Sequence, residues 1–147
     1  MEIAVLALGC FWEPEIKFSK LNGIIKTEVG YCGGNNPQTT YREVCTDKTN
    51  HAEVVKLEFD PKIISYEQVL EYFFKIHDPT TLNSQGPNFG TQYRSEIFYL
   101  NSNQKNIAEK IKGKESQRLS EKIVTKLSPV KNYCTAEEYH QRYLEKR

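Results

Sequence analysis

An α+β fold, with helices packed on one face of a mixed sheet as a two-layer sandwich, is predicted by three features of the sequence. Strand-like and helix-like segments alternate along most of the chain. The run Ile3-Ala4-Val5-Leu6-Ala7-Leu8 is apolar throughout and stops at Gly9, as suits a central strand covered on both faces. Ser65 and Gln68 form a capping-box pattern ahead of Val69, Leu70, Phe73 and Phe74, an amphipathic helix ending near Asp78-Pro79. The length of 147 residues suits one domain, 1–147, since domains commonly run about 100–200 residues.

The remaining elements follow in order. Pro14 fits a first helical turn, and Ile16 and Leu21 mark a buried face that stops at Gly23, so Cys10 falls at a strand-to-helix junction. Residues 24–31 read as a second strand, followed by a turn-rich Gly33-Gly34-Asn35-Asn36-Pro37 loop. Between His51 and Asp60, Val55, Leu57 and Phe59 alternate with Lys56, Glu58 and Asp60. The same parity puts Glu53 on the apolar face. Residues 79–92 form a long loop of the kind that often carries function, and a strand runs from Tyr93 to Leu100. Asn101 or Ser102 caps a helix carrying Ile107 and Ile111, with 112–122 as its solvated continuation. A strand at 123–127 precedes a last helix, expected from the Thr135/Glu138 capping pattern and from Tyr139 and Tyr143 at i, i+4.

Composition narrows the function. Twenty basic and 19 acidic residues leave a net charge of +1, which supplies no field for nucleic acid or an anionic membrane. No run approaches the roughly 18 apolar residues of a membrane span, and no basic leader precedes the first strand, so a cytoplasmic protein is expected. Cys10, Cys32, Cys45 and Cys134 form no CxxC pair, and His51, His77 and His140 are too widely spaced for a local metal signature, so no metal is expected. The three histidines are read as capping or surface residues.

Cys10 is the first candidate for chemistry. A helix N-terminus and a tight glycine turn would both stabilise its thiolate, although a cysteine beside Phe11 and Trp12 also fits a buried apolar role. Glu53 is the second, because a carboxyl group on an apolar strand face is desolvated and its pKa rises, making a general acid. A wet strand-end glutamate is the alternative. Tyr41 and Tyr93 border turn-rich loops and can donate phenol hydrogen bonds.

Gly9-Cys10-Phe11-Trp12 resembles the GCFW motif of the peptide methionine sulfoxide reductase A family. Five further blocks stand in that family's order: Thr27-Glu28-Val29-Gly30-Tyr31 with Gly33-Gly34; Thr40-Tyr41-x-Glu43-Val44-Cys45 with His51-Ala52-Glu53-Val54-Val55; Ile76-His77-Asp78-Pro79-Thr80; Gln85-Gly86 with Gly90-Thr91-Gln92-Tyr93-Arg94-Ser95; and Ala136-Glu137-Glu138-Tyr139-His140-Gln141. The resemblance implies a ferredoxin-like core and reduction of methionine-S-sulfoxide, free or in proteins, to methionine, as protein repair under oxidative stress, without metal or organic cofactor. It implies that Cys10 attacks sulfur, that Glu53 protonates the sulfoxide oxygen, that Tyr41 and Tyr93 hold that oxygen, and that Phe11 and Trp12 wall the slot for the S-methyl group. Cys10 would become a sulfenic acid, resolved as a disulfide that thioredoxin, or dithiothreitol in vitro, reduces. A monomer is expected.

Three positions depart from the pattern. Asn88 stands where many members carry an acid; it would orient water or substrate without charge and change the rate or its pH optimum. Glu13 stands where many carry glycine and should point to solvent. Many relatives have resolving cysteines in a glycine-rich tail, whereas this chain ends at Arg147, which makes Cys134 the expected partner of Cys10, Cys32 the runner-up and Cys45 structural. Two rival functions remain at this level: a cysteine hydrolase pairing Cys10 with His51 or His140, and a non-catalytic module that binds oxidised methionine peptides.

Overall fold

The computed structural model describes residues 1–147. β1 (Glu2–Leu8) is buried from Ala4 onward and lies between two antiparallel neighbours, as its unbroken apolar run requires. Gly9 then turns the chain with φ of +97°, and a Cβ at that position would stand 2.7 Å from the Gln85 side chain. α1 (Trp12–Ser19) begins two residues ahead of Pro14 and leads to β2 (Ile24–Cys32). A single turn, α2 (Tyr41–Val44), is capped by Thr40, whose side chain accepts from the Glu43 N–H. β3 (Ala52–Phe59) and α3 (Tyr66–Lys75) follow, the latter closed at its start by the full Ser65/Gln68 capping box.

The loop at 79–92 contains a small hairpin of β4 (Ser84–Gln85) and β5 (Asn88–Phe89), then a 3-10 turn at Thr91–Tyr93. The expected strand at 93–100 is therefore β6 (Ser95–Tyr99). α4 (Ser102–Arg118) is capped by Asn101. The strand expected at 123–127 is shifted to β7 (Lys126–Pro129), because its position is set by parallel pairing of Glu96 with Lys126 and of Ile97 with Leu127. β8 (Cys134–Thr135) closes the sheet.

The sheet order is β7-β6-β1-β3-β2-β8, with only β6 and β7 parallel. Within it, β1-α1-β2 and β3-α3-β6 interlock so that β3 sits antiparallel between β1 and β2, the split β-α-β arrangement of a ferredoxin-like core. Helices cover one face: Leu6, Val55, Leu57 and Tyr31 meet Phe18 of α1, Leu70 and Phe73 of α3 and Ile111 of α4. The other face carries Val5, Ala7, Cys32, Val54 and Phe98, under the 130–133 segment.

The expected last helix is absent. After β8 there is one 3-10 turn at Glu138–His140, and the backbone reverses at Arg142 with φ of +51°. Tertiary hydrogen bonds outcompete the capping pattern here. Gln141 uses its side chain as a strand would use its backbone, accepting from Val29 N–H at 2.9 Å and donating to Val29 O at 2.9 Å and Ala136 O at 3.0 Å. Glu15, buried in α1, accepts from Thr27 Oγ1 at 2.9 Å and from the Arg142 N–H at 2.7 Å. Tyr139 and Tyr143 consequently leave the common face that a helix would give them: Tyr139 is exposed, whereas Tyr143 lies on Trp12.

Loss of the Ser65 hydroxyl should leave one N–H of the first turn of α3 without its partner. Ser65→Ala is expected to lower unfolding free energy by about 1 kcal/mol in urea denaturation, with activity retained because α3 contributes no side chain to the Cys10 turn.

Candidate active site

The site is assembled on the first turn of α1. The Phe11 N–H donates to Glu53 Oε1 at 3.2 Å, and the next N–H, that of Trp12, favours a charge on the Cys10 sulfur. The first turn of α1 thus brings the thiol and the carboxyl group together, although they lie 43 positions apart in sequence. Glu53 is 1% exposed, and its Oε2 has no protein partner. Burial pushes its pKa up to about 8 against the single Phe11 hydrogen bond, so Glu53 holds its proton at neutral pH.

Cys10 departs from expectation. Desolvation raises its pKa to about 11; the Trp12 hydrogen bond opposes this, and the charges of Glu53 and Glu13 add smaller upward pushes. The helix N-terminus therefore does not yield a resting thiolate, because its one hydrogen bond is weaker than the cost of enclosing the charge. Glu13 is exposed, as expected, and pairs with Lys17 at 3.0 Å.

Tyr41 and Tyr93 stand around the same carboxyl group, and each has its pKa raised chiefly by burial and further by the Glu53 charge. Tyr41 is fixed through its backbone N–H, which donates to Glu137 Oε2 at 2.9 Å, while Glu137 Oε1 accepts from Tyr31 at 2.8 Å. The neighbouring Cys45 thiol pushes the Tyr41 pKa up further. Cys45, expected to be structural, is exposed at the end of α2, because residues 41–44 form a helical turn.

Phe11 and Trp12 separate in role. Phe11 is fully buried against Tyr31 and His140, so its ring has no surface to offer a substrate here, whereas Trp12 is half-buried and borders the Cys10 cleft. That cleft, of about 520 Å³, is also lined by Asn88, Gln85, His77 and Leu144. Gln85 anchors the hairpin that brings Asn88 there, bonding Asp78 O and accepting from the Asp78 N–H.

The other candidates sort by sheet face. Tyr31 pairs with both Glu53 and Cys134, which puts Cys134 on the Glu53 side, two strands or about 10 Å away between Cα atoms. Cys134 is half-buried in β8, not at the helix start expected. Cys32 is buried on the opposite face, donating to Lys131 O at 3.4 Å. It sits inside β2, not in a flexible loop.

His51 and His140 are interior, not capping or surface residues, whereas His77 caps the last turn of α3 as expected. His51 packs on Gly34, accepting its N–H at Nδ1, with Nε2 against Asn36 O at 2.8 Å. His77 spans Phe73 O and Ser95 Oγ, and burial pushes it down to about 4. His140 meets Trp12, a partnership that sequence spacing could not signal across 128 positions. No group of three His, Cys, Asp or Glu side chains is placed to hold a metal ion. No helix is long and apolar enough to cross a membrane.

Two measurements follow from these placements. A carboxyl group that keeps its proton to about pH 8 when folded but loses it near 4.5 when unfolded binds more protons in the native state between those values, so stability declines as pH rises through that window. Relative to Glu53→Gln, the parent should lose roughly 2–5 kcal/mol between about pH 5 and pH 8 in urea titrations. Asn88→Asp should raise the pH at which Cys10 is alkylated, because it adds a negative charge to the same cleft; superimposable alkylation curves would show that position 88 does not act on the thiol.

Comparison with known proteins agrees along the whole chain. The family described as "Peptide methionine sulfoxide reductase" matches residues 2–147. Peptide methionine sulfoxide reductase MsrA of Pelagibacter ubique is 74% identical over 147 residues, covering all of both chains. The MsrA of Saccharolobus solfataricus is 49% identical over 99% of this chain and 82% of its own. Among solved structures, reduced Mxr1 from Saccharomyces cerevisiae superposes with a TM-score of 0.93 at 40% identity, covering 99% of this chain and 85% of that one. Mxr1 in complex with Trx2 gives 0.67 at 27% identity, over 97% and 84%. Family profile, full-length relatives and superposed structures agree, and the chain belongs to the peptide methionine sulfoxide reductase family.

Proposed function

We propose that this protein reduces methionine-S-sulfoxide, free or in peptides and proteins, to methionine by oxygen transfer to Cys10. The reading is carried by one observation: a buried carboxyl group protonated at neutral pH and a thiol share one helix turn. A sulfoxide sulfur becomes electrophilic only when its oxygen is protonated, and that proton is what Glu53 has to give. As Glu53 donates, its carboxylate accepts the Cys10 proton, and the resulting thiolate attacks sulfur. The net proton movement is from thiol to sulfoxide oxygen, so a thiol of raised pKa is deprotonated only when substrate is engaged. Tyr41 and Tyr93 donate to the same oxygen as negative charge gathers on it. Trp12 supplies the apolar wall for the S-methyl group, backed by buried Phe11, while Asn88 orients substrate or water from the hairpin side.

Transfer of the hydroxyl group to sulfur leaves Cys10 as sulfenic acid and releases methionine. Attack by Cys134 then forms a disulfide and expels water, and two electrons from thioredoxin or dithiothreitol restore both thiols. Cys134 is favoured over Cys32 because it shares the sheet face of Glu53. The Mxr1–Trx2 complex supports thioredoxin as the reductant. The chemistry requires no metal or organic cofactor.

Separate incubation with each sulfoxide epimer and dithiothreitol tests the proposal. Methionine release from the S epimer alone is expected, lost in Cys10→Ser and reduced about 100-fold or more in Glu53→Gln. One turnover without reductant should leave a Cys10–Cys134 peptide in mass mapping; a Cys10–Cys45 or Cys10–Cys32 peptide would reassign the resolving thiol. Turnover that survives Cys10→Ser would end the reading.

A further inference from the structure

Trp12 is the only tryptophan in the chain, and the C-terminal segment holds it from two sides. Its indole N–H donates to His140 Nδ1 at 3.0 Å. Tyr143 stacks on the ring with centroids 3.9 Å apart and planes 14° from parallel, and the Arg147 guanidinium lies over Tyr143 at 4.4 Å. The indole nitrogen can only donate, so Nδ1 of His140 must present a lone pair and the neutral ring must carry its proton on Nε2.

That Nε2–H is buried with no partner. His140 is 1% exposed and enclosed by the rings of Phe11, Trp12, Tyr41 and Tyr139. An apolar side chain would fill such a niche without an orphaned donor. What an apolar side chain lacks is an acceptor for the indole, so the unsatisfied nitrogen accompanies one specific bond to Trp12.

We propose that His140 is a positioning residue that fixes the Trp12 indole as the wall of the substrate slot, and that proton uptake by His140 releases it. The proposal rests on the reading of Trp12 as that wall. A protonated ring carries N–H groups at both nitrogens, so Nδ1 would face the indole N–H donor to donor. The groups bearing on the ring are known from each packed element. Glu137, on the same segment, favours the proton, but burial has the larger effect and holds His140 below the usual histidine range. α2 brings the Tyr41 phenol and the segment itself Tyr139, both with raised pKa and uncharged in this range. β2 brings Tyr31, bonded to Glu137, and the start of α1 brings only the Phe11 and Trp12 rings.

Emission of the single tryptophan and steady-state kinetics of the full chain, at about pH 8 and about pH 4.5, the latter chosen because His140 lies below the usual histidine range, test this. On acidification the parent should show quenched, red-shifted emission, with KM for methionine sulfoxide rising about five- to tenfold, the effect of one buried hydrogen bond. His140→Gln offers an amide oxygen to the indole and does not titrate, so its emission should stay flat with pH and its KM should match the parent's at the higher pH. His140→Leu should show the released emission and raised KM at both pH values, with kcat changed less. Parental emission that ignores pH, a pH response in His140→Gln equal to the parent's, or parental KM and emission in His140→Leu would overturn the proposal. Absence of turnover in the parent would sink the reductase reading instead, with the emission arm still deciding whether His140 holds Trp12.

Discussion

The arrangement depends on burying one carboxyl group against the first turn of a helix. Glu53 occupies a core-facing position of β3, where Val55 and Leu57 continue the same row, yet it gains only one hydrogen bond, from Phe11 N–H. An ionised carboxylate with one partner in such a place is costly, so the group stays protonated, with Oε2 buried and without a hydrogen-bond partner. The same enclosure raises the Cys10 pKa. The two raised pKa values thus share one cause: a closed turn that disfavours charge on either group.

Around that turn the scaffold is built largely from side chains that replace regular structure. Gln85 seats the β4–β5 hairpin against Gly9, where only a residue without Cβ leaves room, and the hairpin delivers Asn88. Glu137 clamps the start of α2 and the Tyr31 hydroxyl together, fixing Tyr41. Gln141 and Glu15 hold the last twelve residues along β2 and α1. Each anchor is a buried or half-buried polar group whose partners include backbone atoms, so loss of any one strands donors or acceptors. The C-terminal segment is therefore part of the wall around Trp12.

The regular elements were legible because each rests on local patterning. β1 is apolar on both faces because it has neighbours on both edges and covers on both faces; α3 carries its own capping box; the parity of Val55, Leu57 and Phe59 extended correctly to Glu53. Local reading failed where distant partners outweighed it. The Thr135/Glu138 pattern would cap a helix in isolation, but Gln141 and Tyr143 gain more from Val29 and Trp12 than a short helix would return. β7 takes its position from β6, and His51 and His140 are not the capping or surface residues expected because their burying contacts come from residues distant in sequence.

By itself, the sequence determined the alternation of strands and helices, the placement of Cys10 at a strand-to-helix junction and the inward orientation of Glu53, since periodicity and turn chemistry act over a few residues. Tertiary structure alone decided that the two groups share a turn, that the thiol rests protonated, that Cys134 and Cys32 lie on opposite faces of the sheet, and that His140 reaches Trp12. These are consequences of desolvation and strand pairing, which depend on what surrounds a side chain in space and not on what precedes it in the chain.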